Sequence, residues 1–381
     1  MSVDGPKGFL AYGVTSGLKG KSLDLALVLN SGPLFNFAAV FTTNEVKAAP
    51  VLWSTEIAKT GKCKAILLNS GGANACTGSE GFSVTHKSAE YVAEKFQLAP
   101  IDVAICSTGI IGEVLDFSKI KNGIDELSQI NDSDGQAAAL AIMTTDSKPK
   151  QTYLNQGNYA IGGMAKGAGM LAPSLATMLV VITSDADVSD IDLQRCLKLC
   201  VERTFNRISA DGCTSTNDSV LLLCNGASRY KPSESDFLEA LMKVCDNLAI
   251  ELIQDAEGAT TFVEIIVENA RTEEQAIAIA RKVAGDSLVK TAFFGRDPNW
   301  GRVAAAVGSA KAGINPELLD IYFNGIPVCL SGAANGNRRR VKLDGRSINV
   351  VIKLNLGNEC ATVRTTDLST EYVLENSEYS S

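Results

Sequence analysis

At 381 residues, with 45% apolar and 20% charged side chains, the chain has the composition of a globular protein large enough for one big core or two domains, and is not that of a disordered chain. Asp and Glu outnumber Lys and Arg by 43 to 35, a net charge of −8, which argues against nucleic acid or an anionic membrane as partner, since phosphate-binding surfaces are built from Lys and Arg. The opening MSVDGPKGFLAYGV lacks a signal-peptide pattern and no apolar run approaches the ~20 residues of a membrane span, so a cytoplasmic protein is expected.

In chain order, KAILLNSGGANACTG reads as a strand running into a loop of small residues, and VAICSTGIIG repeats that design at 103–112. Between them GFSVTHKSAEYVAEKF has a helical pattern and carries the chain's single histidine, His86, for which a surface or capping role is expected. LATMLVVIT is an apolar run of buried-strand length, entered through a segment that bends at Gly167, Gly169 and Pro173. Ile191, Leu193, Cys196, Leu197, Cys200 and Val201 fall at helical spacing. So do Phe237, Leu238, Leu241, Met242, Cys245, Leu248, Ala249, Leu252 and Ile253, one stripe across Ser235 to Gln254. Thr272 and Gln275 form a capping-box pattern at the start of a third helix. TFVEIIVE, NVVIKLN and ATVRTT are strand candidates, and Asn324-Gly325 marks a tight hairpin. The basic run Arg338-Arg339-Arg340 reads as a solvated loop. Several strands alternate only in part, so an α/β protein of layered sheets covered by helices is expected. Its divisions fall at the loop before Thr177, giving 1–176 and 177–381, with a further C-terminal subdomain from about residue 285.

The ten cysteines are scattered without a CxxC or a Cys/His cluster, and read as reduced, buried thiols rather than zinc ligands. With one histidine in a helical segment, acyl chemistry of the Ser-His or Cys-His kind has little to stand on. Thr177, at the mouth of the LATMLVVIT strand, offers another route. A threonine hydroxyl needs a base within hydrogen-bond reach. Cleavage of the Ala176–Thr177 bond would supply one in the residue's own α-amine, whose ordinary pKa of about 7.7–8.0 suits neutral pH.

The segment KGAGMLAPSLATMLVVITSDA resembles the cleavage segment of the ornithine acetyltransferase (bifunctional glutamate N-acetyltransferase) family. GVTSGLK, AAVFTTNEVKAAPV, NSGGANACTG, CSTGIIG, IMTTDSKPK, TFNRISADGCTSTND, DAEGATTF, LVKTAFFGRDPNWGR and DLSTEYVLENSEYSS follow in the same order over nearly the whole chain. The resemblance implies a self-cleaving acyltransferase whose Thr177 becomes an N-terminal nucleophile that carries the acetyl group. Thr108 and Gly109 match the oxyanion-hole pair. Lys166, eleven residues before Thr177, matches a substrate-binding lysine and Glu257 an acidic partner for a substrate ammonium. In IMTTD, Thr144 is favoured as a substrate contact and Thr145 stays open; Asn376 and Ser381 match C-terminal substrate contacts. Taken without the family, CSTGIIG is a strand-to-helix turn and Glu257 a solvated carboxylate past a long helix.

The implied reaction moves acetyl from N2-acetylornithine to glutamate in arginine biosynthesis, releasing ornithine and N-acetylglutamate, with no metal or cofactor. The implied assembly is a heterotetramer of two α and two β fragments. Two alternatives share the threonine chemistry: an enzyme that also takes acetyl-CoA as donor, and an N-terminal-nucleophile amidase or peptidase that passes the acyl group to water. The chain departs from the family pattern at Gly72, Cys213 and Thr366, none of which carries an implied role.

Overall fold

The computed structural model describes residues 1–169 and 178–378. Among these residues the strands form three sheets. The first orders Phe9–Val14, Leu25–Asn30, Ala65–Asn69 and Val103–Ser107, antiparallel except for the last pair, which is parallel. The second orders Asn36–Phe41, Ser219–Cys224, Leu179–Ser184, Ala160–Lys166 and Lys150–Asn155, with one parallel pair at its centre.

Side-chain alternation along the second sheet explains the layering. Val180, Ile182, Val220 and Leu222 face the helices Leu193–Arg203 and Glu234–Gln254 in one core. Leu179, Val181, Leu221 and Leu223 point the other way and meet Ala26, Val28, Ile66, Leu68 and Ala104 of the first sheet. The first sheet's far face, Leu25, Leu27, Leu67 and Ile105, is covered by the helices Gly78–Phe96 and Phe117–Leu127. The result is helix, sheet, sheet, helix. A central strand enclosed on both faces needs apolar residues at every position, which is why LVVIT shows no period of two: every residue of Leu179–Ser184 is buried.

The third sheet orders Ala333–Ala334, Ile326–Leu330, Asp320–Phe323, Ser347–Lys353, Phe262–Ala270, Glu359–Thr366 and Ile208–Ser209. One face packs on the helices Glu273–Ala284 and Trp300–Ser309 through Val263, Ile265, Val350, Ile352, Ile279 and Val307. Its other face is partly open, and Ser347–Lys353 accordingly alternates buried and half-buried residues. The expected layered α/β architecture is the observed one.

Local signals resolve with detail. Thr272 caps its helix by accepting from the Gln275 N–H at 3.1 Å, but the Gln275 side chain accepts from Arg271 rather than closing the box on Thr272. Asn324 and Gly325 both take positive φ, 46° and 77°, between two paired strands, the twist a two-residue hairpin demands. Arg338, Arg339 and Arg340 are exposed, and Arg338 pairs with Asp297. The cysteines depart from expectation: all ten are free thiols, but Cys76, Cys213 and Cys360 are exposed, because each stands in a loop or near a strand end outside the cores. Among the described residues no helix is long and apolar enough to cross a membrane, and no group of His, Cys, Asp and Glu could hold a metal ion.

Candidate active site

The two small-residue loops zip together where the first sheet ends. Thr108 N–H donates to Asn69 O at 3.0 Å, Gly72 N–H to Thr108 O at 3.0 Å and Ala73 N–H to Ile110 O at 2.9 Å. Gly109 sits in this seam at φ 129°, where a Cβ would lie 2.8 Å from the backbone nitrogen of Gly72. Only glycine takes that conformation at that separation without displacing the neighbouring loop. The Gly109 N–H enters no hydrogen bond among the described residues. The departure at Gly72 has its own tight contact, since a Cβ there would meet a Leu115 methyl at 2.8 Å.

A cleft opens here, lined by Thr108, Gly109, Thr144, Thr145, Lys166, Asn217, Glu257 and Asn376 among others. Seven of the candidate site residues named from the sequence, counting both Thr144 and Thr145, therefore share one site, although they come from five separate stretches of chain. Lys166 ends the strand Ala160–Lys166, is 1% exposed, and its Nζ donates to Thr108 Oγ1 at 3.3 Å. Burial pushes its ammonium below the usual lysine range; Lys150 adds to that, while Asp146, Asp218 and Glu257 oppose it. Glu257 accepts from Thr145 Oγ1 at 2.7 Å and from Asn376 Nδ2 at 3.1 Å. Of the two adjacent threonines, Thr145 thus spends its hydroxyl on Glu257, while Thr144 lines the cleft and donates its N–H to Asp146 at 3.0 Å. Gly169 keeps space for Glu257, because a Cβ there would lie 2.4 Å from a carboxylate oxygen.

Ala176, Thr177 and Ser381 lie outside the described residues. The residue that follows Thr177 is anchored: Met178 is 2% exposed and its N–H donates to Asp218 Oδ1 at 2.9 Å. Asp218 is fully buried, its Oδ2 has no hydrogen-bond partner among the described residues, and burial raises its carboxyl well above the ordinary carboxylate range. Beside it, Asn217 Nδ2 donates to Ala73 O at 2.6 Å and Ser107 O at 2.8 Å, clamping both small-residue loops from the TSTND segment. Asn217, Asp218 and the pair Asp146 and Lys150 were not singled out from sequence. They sit inside segments, TSTND and TTDSKPK, whose polar composition alone reads as solvated loop. His86 is exposed on the helix Gly78–Phe96, edge-on to Trp53, and does not line the cleft.

A buried lysine, a hydroxyl and an N–H that donates to no described residue converge on one polar cleft, in a layered α/β scaffold of the kind that houses an enzyme's active site. The chain belongs to the ArgJ family, whose model matches residues 10–381. The arginine biosynthesis bifunctional protein ArgJ of Streptomyces coelicolor is 48% identical over the full length of both chains. Its namesake from Mycobacterium bovis is 49% identical over 100% of this chain and 96% of its own. A solved structure of Mycobacterium tuberculosis ornithine acetyltransferase complexed with ornithine is 48% identical, covering 47% of this chain and 96% of that one, with a TM-score of 0.44.

Proposed function

We propose that this chain, an acetyltransferase of arginine biosynthesis by family, moves the acetyl group of N2-acetylornithine to glutamate through an acetyl ester on Thr177. Cleavage of the Ala176–Thr177 bond frees the amine that serves as base, and the chain works as fragments 1–176 and 177–381. Thr177 Oγ attacks the acetyl carbonyl and its proton passes to the α-amine. The Thr108 hydroxyl and the Gly109 N–H take the developing oxyanion, as acyl transfer requires. The tetrahedral intermediate collapses with the C–N bond breaking, and the protonated α-amine returns its proton to the departing nitrogen of ornithine. The amino group of glutamate then attacks the ester by the reverse path, which regenerates Thr177. Lys166 pairs with a substrate carboxylate, and Glu257, which accepts from Thr145 and Asn376, takes a substrate ammonium with Thr144 beside it in the cleft; Ser381 completes that side. A heterotetramer in the cytoplasm is the proposed assembly and location.

The observation that carries this reading is the Gly109 N–H, which donates to no described residue, held beside Thr108 and Lys166 in one cleft. Mass spectrometry of protein incubated with acetylornithine alone tests it. The fragment beginning at Thr177 should gain one acetyl group, lost on adding glutamate. Loss of that acetyl as free acetate at the same rate without glutamate would turn the reading to an amidase. The relatives' shared description as bifunctional favours a second donor: acetyl-CoA should support N-acetylglutamate formation, and an enzyme inert toward it would be confined to acetyl exchange.

A further inference from the structure

Behind the cleft lies a chain of buried charges that the acetyl-transfer reading does not use. Asp146 Oδ1 accepts from Lys150 Nζ at 2.5 Å and from the Gly167 N–H at 2.7 Å, and its Oδ2 accepts from the Thr144 N–H at 3.0 Å. Lys150 Nζ also donates to Asp255 Oδ2 at 2.6 Å, and Asp255 accepts from the Ser147 N–H at 3.0 Å and from the Ser147 hydroxyl. The side chains of Asp146 and Lys150 are 0% exposed and that of Asp255 7%. Asp255 stands two residues before Glu257, whose own N–H donates to Ala168 O at 3.0 Å.

We propose that the Asp146–Lys150–Asp255 chain is a positioning device for the site, in which Asp146 is the counter-ion of Lys166 and the three charges together hold the 144–147, 166–168 and 255–257 segments in one register. This rests on the acetyl-transfer reading. Burying ions for stability alone gains little, because well-packed apolar residues of the same volume do as well or better. The three charges sum to one excess negative charge, and the Lys166 ammonium, one residue before the Gly167 whose N–H donates to Asp146, is the leading charge acting on that carboxylate. Burial alone would push Asp146 upward, but Lys166, Lys150 and the Gly167 N–H outweigh it and hold the carboxyl at about 2.

Besides burial, the charges of described residues that act on Lys166 include Asp146, Asp218 and Glu257, which favour its charge, and Lys150, which opposes it. Removing the Asp146 charge therefore lowers the Lys166 pKa further. If charged Lys166 binds a substrate carboxylate, activity is lost as pH rises through that pKa, so the alkaline limb must move to lower pH.

The test is steady-state acetyl exchange against pH with wild type and Asp146→Asn, rates being normalised to the cleaved fraction on a denaturing gel. Expected are an alkaline limb displaced to lower pH and a kcat/KM about 100-fold down, the scale of a misplaced site. An active wild type beside an Asp146→Asn enzyme with the same limb and a kcat/KM within about threefold, too little to mark misplacement, would overturn the proposal. A wild type that exchanges no acetyl would instead defeat the acetyl-transfer reading. Should Asp146→Asn fail to fold, Asp255→Asn decides: it leaves the Asp146 charge that acts on Lys166 in place, so kcat/KM should fall with the limb unmoved, and an unchanged kcat/KM overturns the positioning role.

Discussion

Gly109 shows how tightly the site is specified at single residues. Its φ of 129° and the 2.8 Å separation of a would-be Cβ from Gly72 N leave a side chain no room without moving the loop. Gly109→Ala should fold yet aim the N–H wrongly, lowering kcat by about 10²–10³ as other oxyanion donors do; a kcat near wild type in the steady-state assay would remove that N–H from catalysis. Glu257 differs, because its two fixed donors, Thr145 and Asn376, orient a carboxylate rather than take part in bond making. Glu257→Gln should raise KM about 10–100-fold, the worth of one charge-assisted hydrogen bond, with little change in kcat. A fall in kcat at constant KM would assign it a different role. What the sequence allowed at this scale was uneven. That Thr108, Gly109, Lys166 and Glu257 would share one cleft was legible only through the family's motifs. Asp146 and Lys150 were not legible, since a charged pair four apart in TTDSKPK looks identical whether solvated or 0% exposed.

Elements were easier to read, and for a physical reason. The stripe from Phe237 to Ile253 keeps one face of Glu234–Gln254 against the second sheet, so its period is imposed by burial on one side. Leu248 lies at the centre of that contact, 0% exposed and packed so near Gly163 that a Cβ there would stand 3.1 Å from its methyl. Leu248→Ala should cost about 2–5 kcal/mol in urea unfolding; a loss under that range would mean the helix settles into the space. Ser233, which caps the same helix by accepting from the Asp236 N–H at 3.1 Å, should cost about 1 kcal/mol as Ser233→Ala, with acetyl exchange unchanged. The pairing of two sheets face to face was not legible. Leu179–Ser184 and Ser219–Cys224 are buried on both sides, so their sequences carry no alternation to say which neighbours cover which face.

At the scale of the molecule, the layers leave the ends of strands from two sheets to build one cleft. Thr108 follows the last strand of the first sheet, Lys166 closes a strand of the second, and Met178 precedes the neighbouring strand. A break before Thr177 would separate Lys166 from Met178 along the chain, while the antiparallel ladder that pairs Lys166 with Leu179 and Ala165 with Val180 keeps the two pieces together. On the proposed cleavage, that ladder would leave Lys166 and Met178 held on neighbouring strands. The decisive measurement is a denaturing gel with N-terminal sequencing of wild type and Thr177→Ala, beside their acetyl-exchange rates. Wild type should give two fragments, the second beginning Thr-Met-Leu-Val, and Thr177→Ala one inactive chain. A wild-type protein that stays uncut and still passes acetyl from acetylornithine to glutamate would contradict the role given to the Thr177 amine.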